Sequence, residues 1–455
     1  MKIVIPPLEV AEDDLFQVDL FNRKPFAESL LNLVKSTNES LVISINGEWG
    51  EGKTTFIKQW QTLLNESKIP NMYIDAFSND FLDDAFITVT SEIAHFAEEN
   101  TDNNSKVSDF KKTAVNVGTK LLSWSAKIAV KTATIGTIKD SDIEELEAIK
   151  NDISSGASSV IGGLIDDRFK SHKKDLALVE TFQKLLSELP NQINKDNDLP
   201  LIIIIDELDR CKPSFAVEIL EKIKHLFSVE NIFFVLVMNK KQLEESVKCI
   251  YGQGINAHLY LQKFINIETN LPKRKIGLKK SDLDIYSRKL LQLHELEVEV
   301  HAQAILNSIV PLGNHLNLSL RQLEKCFTNI ALFYSTRSHN QLIIEELIVF
   351  LSVVKVYEPS LFLKLQHKET SYKEVGVALG LPNIPENEVN QGSNRRFFSM
   401  LILWVRYCTT NILDIKSIEK DRRINIIQSR NFNHSFDRTD IIPYFCNKLS
   451  LFEVD

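Results

Sequence analysis

An α/β fold is predicted for this chain: a three-layer sandwich on a mainly parallel central sheet, with a helical insertion and an α-helical C-terminal region. Three observations predict it. Leu201 to Asp206 and Ile232 to Met238 are aliphatic and aromatic runs, the pattern of strands that helices cover on both faces. A shorter run, with Leu41, Val42, Ile43 and Ile45 apolar, stops at Gly47 and leads into a helix-like segment, Thr54 to Glu66. Beyond Ser281, apolar residues recur at spacings of three and four, the period of packed helices.

Composition bounds what such a chain can be. Its 455 residues suffice for two or three domains, and 44% hydrophobic with 25% charged residues is the balance of a globular protein in water. A net charge of −8 argues against a general attraction to nucleic acid or anionic lipid and leaves only local basic patches for that role. Cys211, Cys249, Cys326, Cys408 and Cys446 are scattered, odd in number and never in a C-x-x-C pair, which argues against a disulfide framework or a zinc site and fits a reducing cytoplasm. Met1 to Pro7 is too short for a signal peptide, and no window reaches the length of a conventional membrane span. A cytoplasmic protein without a transmembrane span is expected.

Along the chain, residues 19–35 present Phe26, Leu30, Leu31 and Val34 on one helical face. The strand that follows ends in Ile43 to Thr55, where Gly47, Gly52, Lys53 and Thr54 fit G-x-x-x-x-G-K-[ST]. Small residues let successive backbone N–H groups turn inward around a phosphate chain, and the following helix adds the partial positive charge of its N-terminus. The cradle is expected to comprise Gly47, Gly50, Glu51, Gly52, Lys53, Thr54 and Thr55. Lys53 would reach the β- and γ-phosphates, and the Thr54 hydroxyl would ligate Mg²⁺.

After Pro70, Met72 to Ala76 reads as a second strand and Asp83 to Ala97 as a helix. From Asn100 to His172 the composition shifts to small, polar and basic residues. Thr113 to Ile138 is nearly a hydrophobic span, but Lys120, Lys127 and Lys131 interrupt it, and each buried charge costs about 2.5 to 3.5 kcal/mol on insertion scales. Helices packed on the protein surface are therefore expected there, with an interfacial amphipathic helix as the alternative. Ser154 to Ile165 is a second small-residue stretch, and Asp175 to Leu189 is helical again.

Leu201 to Asp206 ends in acids where ligands bind in open α/β sheets. Alone, such acids could simply cap the next helix. With the phosphate loop upstream, Asp206 reads as a Mg²⁺ ligand and Glu207 as the residue that polarises an attacking water. About 150 residues separate the two motifs, which makes residues 100–172 an expected insertion. Ser214 to Phe227 reads as a helix. Asn239, at the end of the next strand, suits either contact with a γ-phosphate or water or a plain strand-end turn. Lys273, Arg274, Lys275, Lys279 and Lys280 form the densest basic cluster, a solvated linker, a phosphate or nucleic-acid contact, or a contact with a membrane surface. Farther on, Arg321 opens a helix with Leu323, Phe327, Ile330 and Leu332 facing a core, residues 382–396 read as a loop, and Phe397 to Leu413 as a buried helix. The expected domains are 1–272, 273–381 and 382–455.

With these residues in place the chain resembles the KAP family of P-loop NTPases. The resemblance rests on Asp19-Leu-Phe-Asn-Arg23, Gly47-Glu-Trp-Gly-Glu-Gly-Lys-Thr54, Asp75-Ala-Phe-Ser78, Ile205-Asp-Glu-Leu-Asp-Arg-Cys211, Phe234 to Asn239 and Tyr260-Leu-Gln-Lys-Phe264 before Leu271-Pro272. It implies an ATPase of the additional-strand class, related to AAA+ and STAND proteins, in which the acid-tipped strand is not adjacent to the P-loop strand. It further implies ATP and Mg²⁺ as cofactors, Arg23 among the nucleotide-binding residues, Arg210 as a charge-stabilising arginine and Arg321 as a sensor 2 arginine. Relatives usually work as oligomers, and bacterial ones are linked to phage defence with neighbouring protein effectors. Many members place paired membrane helices between the two motifs, whereas here lysines punctuate that region. Glu207 stands where the family often has Asp.

Overall fold

The structure, a computed structural model, describes residues 2–3, 19–82, 84–101, 104–135, 158–194, 199–273, 281–296, 302–337, 341–381, 393–410 and 437–451. The chain divides into two compact units. A sheet unit takes residues 24–47 and 53–271, and a helical unit takes 1–23, 48–52 and 272–455.

In the sheet unit, β1 (Leu41–Asn46), β2 (Asn71–Asp75), β3 (Leu201–Asp206), β4 (Ile232–Met238) and β5 (Ile267–Asn270) form a parallel sheet in the order β2-β3-β4-β1-β5. Strands β3 and β4 are buried at every position, which is why they read as unbroken apolar runs. The outer strands β2 and β5 alternate instead, because successive side chains point to opposite faces and one face is more buried than the other. One strand, β4, separates β1 from β3, the arrangement the family resemblance implies. The register sets Asp206 beside Asp75 and Val237, and Asn46 beside Met238, so the carboxyl ends of β1, β3 and β4 lie along one edge.

Helix α1 (Lys24–Lys35) buries Ala27, Leu30, Leu31 and Val34. It starts five residues later than the sequence suggests, with Pro25 in its first turn, where a missing N–H costs nothing. The phosphate loop opens α2 (Lys53–Glu66), whose Phe56 stacks on Phe26 at 5.3 Å. Beyond β2 come a short helix α3 (Ala76–Asn79) and α4 (Ala85–Glu99), the latter capped by the Asp84 side chain.

Among the described residues, the expected insertion region contributes two long helices, α5 (Asn104–Ile135) and α6 (Ser158–Ile193). Phe110 of α5 and Phe182 of α6 stack at 5.4 Å, and Phe182 also meets Phe86 of α4 at 5.4 Å and Phe227 at 5.8 Å. These rings anchor the hairpin on the core of its own unit. Lys106 pairs with Glu188 at 3.1 Å, and Lys120, one of the three interrupting lysines, pairs with Asp175 at 3.3 Å. Among the described residues no helix is long and apolar enough to cross a membrane. Residues 136–138 and Gly156 lie outside the described residues.

The segment expected as one helix over 214–227 is α7 (Pro213–Lys222) continued by a π-helical turn, Ile223–Phe227, which turns Phe227 into the aromatic cluster. Two further helices, α8 (Lys240–Tyr251) and α9 (Ala257–Leu261), lead to β5.

The helical unit comprises α10 (Asp282–Leu293), α11 (Ala302–Leu316), α12 (Leu320–Ser335), α13 (Glu345–Tyr357), α14 (Pro359–Gln366), α15 (Tyr372–Ala378), α16 (Ser393–Thr409) and α17 (Ile441–Leu449). Helix α13 is buried continuously from Leu347 to Val354, which makes it the central helix of its unit. Helix α16 begins inside the segment read as a loop, because the apolar run that starts at Phe397 carries helix back over Asn394, Arg395 and Arg396. Residues 382–392 and 411–413 lie outside the described residues, as do Arg274, Lys275, Lys279 and Lys280 of the basic cluster.

Candidate nucleotide site

At the end of β1, the Gly47 N–H donates to the Met238 carbonyl at 3.1 Å, which ties the loop's first glycine to the neighbouring strand. The first residue of α2 is Lys53, nearly buried, and its ammonium donates to the Gly47 carbonyl at 2.7 Å. Thr54 follows, and its hydroxyl donates to Asp206 Oδ2 at 2.7 Å across the sheet edge. Thr55 continues the first turn of α2.

Asp206 is fully buried. Besides Thr54, it accepts from the Tyr73 hydroxyl at 3.1 Å and from the Glu207 N–H at 2.8 Å. Burial pushes its pKa up, against the pull of the Thr54, Glu207 and Tyr73 donors and the charge of Lys53. Tyr73 is raised as well, by burial and by the adjacent Asp206 charge, so the phenol stays a donor. A buried carboxylate with a hydroxyl at hydrogen-bond distance is a hard oxygen pair, which fits Mg²⁺, an ion held by one or two protein oxygens together with substrate phosphates.

Glu207 follows with left-handed backbone, φ 61° and ψ 23°. A residue with a Cβ holds that conformation at a cost of about 1 to 3 kcal/mol, and such strain clusters at functional sites. Its carboxylate pairs with Arg210 at 2.8 Å. Burial raises the Glu207 pKa, Arg210 lowers it, and the nearby Asp206 raises it again. Arg210 thus pairs with Glu207 of its own chain.

Asn239, buried at the end of β4, accepts from the Lys241 N–H at 3.2 Å and caps α8. Its position directly after the residue paired with Asn46 keeps it on the same sheet edge as Asp206. Asn46 joins the two flanking elements, accepting from Lys240 N–H at 2.9 Å and donating to Asn270 at 2.8 Å.

The loop crest, Glu48 to Gly52, groups with the helical unit. Gly50 and Gly52 both have φ 79°, where a side chain would be strained. The Glu48 N–H donates to the Glu51 carboxylate at 3.0 Å, and Lys273 pairs with the same side chain. Arg23 is buried, and its guanidinium donates to the carbonyls of Glu51 at 3.1 Å, Gly52 at 3.3 Å and Pro272 at 3.3 Å. The Arg321 N–H, in the first turn of α12, donates to the Gly50 carbonyl at 3.3 Å.

Nothing in the sequence marks Tyr73, because its position beside Asp206 depends on register: it pairs with Ile204 and reaches the same-face residue two positions on, Asp206. The left-handed turn at Glu207 carries no signal in residue type, since Glu is unusual there.

The description "KAP family P-loop domain" matches residues 23–337. An uncharacterized protein of Methanocaldococcus jannaschii is 36% identical over 95 residues, 20% of this chain and 47% of that protein, so the chain spans about half the length of this curated relative. Among solved structures, the Aeropyrum pernix ORC2 protein, in ADPNP and ADP complexes, is similar at 14% identity and TM-score 0.34, over 98% of this chain and 96% of that one. The replication initiator DnaA, bound to AMPPCP and single-stranded DNA, is similar at 12% identity and TM-score 0.29, over 96% and 97%.

Proposed function

Because the chain belongs to the KAP family of P-loop domains, we propose that it binds ATP with Mg²⁺ and hydrolyses it slowly, using the cycle to switch its assembly with partner proteins. The observation that carries this reading is the bond of Thr54 to Asp206, which brings the phosphate loop and the acid-tipped strand into one site with Lys53 and Glu207 alongside. In the reaction, Lys53 leaves the Gly47 carbonyl for the β- and γ-phosphate oxygens. Thr54 and Asp206 would hold Mg²⁺, which when bound would supply charge neutralisation for the phosphates. Glu207 accepts a proton as the water oxygen bonds to the γ-phosphorus, while the bond from that phosphorus to the β–γ bridging oxygen breaks and ADP leaves with the electron pair.

The ion pair with Arg210 supports slow basal turnover, since Glu207 must be released before it can take a proton. The same observation favours a second reading, a scaffold that is gated by bound nucleotide without hydrolysis. Phosphate release separates the two. Lys53→Ala is expected to abolish ATP binding, and Glu207→Gln to bind ATP without turnover; both variants matching wild type in turnover would overturn the ATPase. Assembly is read by light scattering of Glu207→Gln with and without ATP, where an ATP-dependent rise in mass is expected. Homo-oligomers, a partner encoded nearby, a role in bacterial defence against phage and a cytoplasmic location extend this reading from the family. A nucleic-acid-stimulated ATPase through the cluster at Lys273 is the further alternative, and turnover unaffected by DNA or RNA at low salt would remove it.

A further inference from the structure

We propose that Arg23 is a positioning residue for the phosphate cradle, acting through the loop backbone and not on the nucleotide itself. The inference rests on the ATP-binding reading above.

A trans peptide is planar, with its N–H and C=O pointing in opposite directions, so holding the oxygen aims the hydrogen. Three consecutive carbonyls of the loop crest are held within the helical unit. The Arg321 N–H takes the Gly50 oxygen, and the Arg23 guanidinium takes those of Glu51 and Gly52. The partners across these three peptide planes are the N–H groups of Glu51, Gly52 and Lys53. Those are the donors a phosphate chain needs, and they are turned away from the guanidinium.

The clamp itself is fixed. Arg23 lies over the Phe21 ring at 4.8 Å, is buried, and has a third tie to the Pro272 carbonyl where the helical unit resumes. Asp19, Glu51 and Asp282 offset the effect of burial on its charge. Gly50 is held from the other side, because a Cβ there would lie 2.7 Å from Arg321 Cβ and 3.2 Å from Ser319 Oγ. A lysine in place of Arg23 has one donor centre and cannot span three carbonyls with a planar fork.

The test uses the full chain at saturating Mg²⁺ with two probes, ATP and inorganic tripolyphosphate, the second lacking base and ribose. Hydrogen bonds from a charged donor to this backbone predict that Arg23→Ala and Arg23→Lys weaken both probes by the same factor, about 10- to 100-fold. Loss of ATP affinity with tripolyphosphate unchanged would place Arg23 on the base or ribose and overturn the proposal, as would wild-type affinity for both. Wild-type protein that binds neither probe would instead refute the ATP site itself. If Arg23→Ala does not fold, judged by circular dichroism, Arg23→Lys decides.

Discussion

Glu207 and Arg210 are expected to set the pH response of the proposed site together. Burial moves the Glu207 carboxyl upward on balance, and the charge of Arg210, three positions away, opposes part of that shift. A base must be deprotonated to act, and removing the cation raises its pKa further. Arg210→Ala is therefore expected to shift the acid limb of the kcat profile to higher pH. A limb that stays in place would show that the pair does not set the basicity of Glu207. A direct role of Arg210 at the phosphates would appear separately, as a lower plateau at high pH.

Helices α5 and α6 owe their place to four aromatic rings. Phe110 and Phe182 close against Phe86 and Phe227, and the π-helical turn at Ile223–Phe227 brings the last ring into reach. Phe182 is fully buried at the centre of this group. Phe182→Ala is expected to destabilise the sheet unit by about 3 to 5 kcal/mol, read as a fall in the urea midpoint. A midpoint unchanged within error would mean the hairpin does not stabilise the body it packs on. Charge serves the same helices at their flanks, where Lys106 meets Glu188 with both groups half-exposed, a pair worth little, and Lys120 meets the buried Asp175.

Stability as a whole is expected to carry the signature of Asp206. Its native carboxyl lies above the unfolded value, so over the intervening pH range the native state holds a proton that the unfolded chain has released. Stability of the metal-free protein then falls as pH rises through that range, and a divalent cation with nucleotide, which needs the ionised form, reverses the loss. Thermal melts in EDTA and in Mg²⁺ with ATP are expected to diverge as pH increases across this window. Parallel melts would remove Asp206 from the metal site, and Lys53→Ala is expected to collapse the divergence by removing the nucleotide.

Local chemistry was legible wherever the residues that make a feature are neighbours in the chain. Gly47, Gly52, Lys53 and Thr54 announce a phosphate loop, and the apolar runs of β3 and β4 announce buried parallel strands, since backbone approach and two-sided burial constrain residue type directly. Pairings across the fold were not legible. Tyr73 finds Asp206 only because β2 lies beside β3 in a particular register, and Arg23 finds Glu51 and Gly52 across 28 and 29 residues. Residue type records what a position tolerates, whereas register and chain return decide which tolerant positions meet.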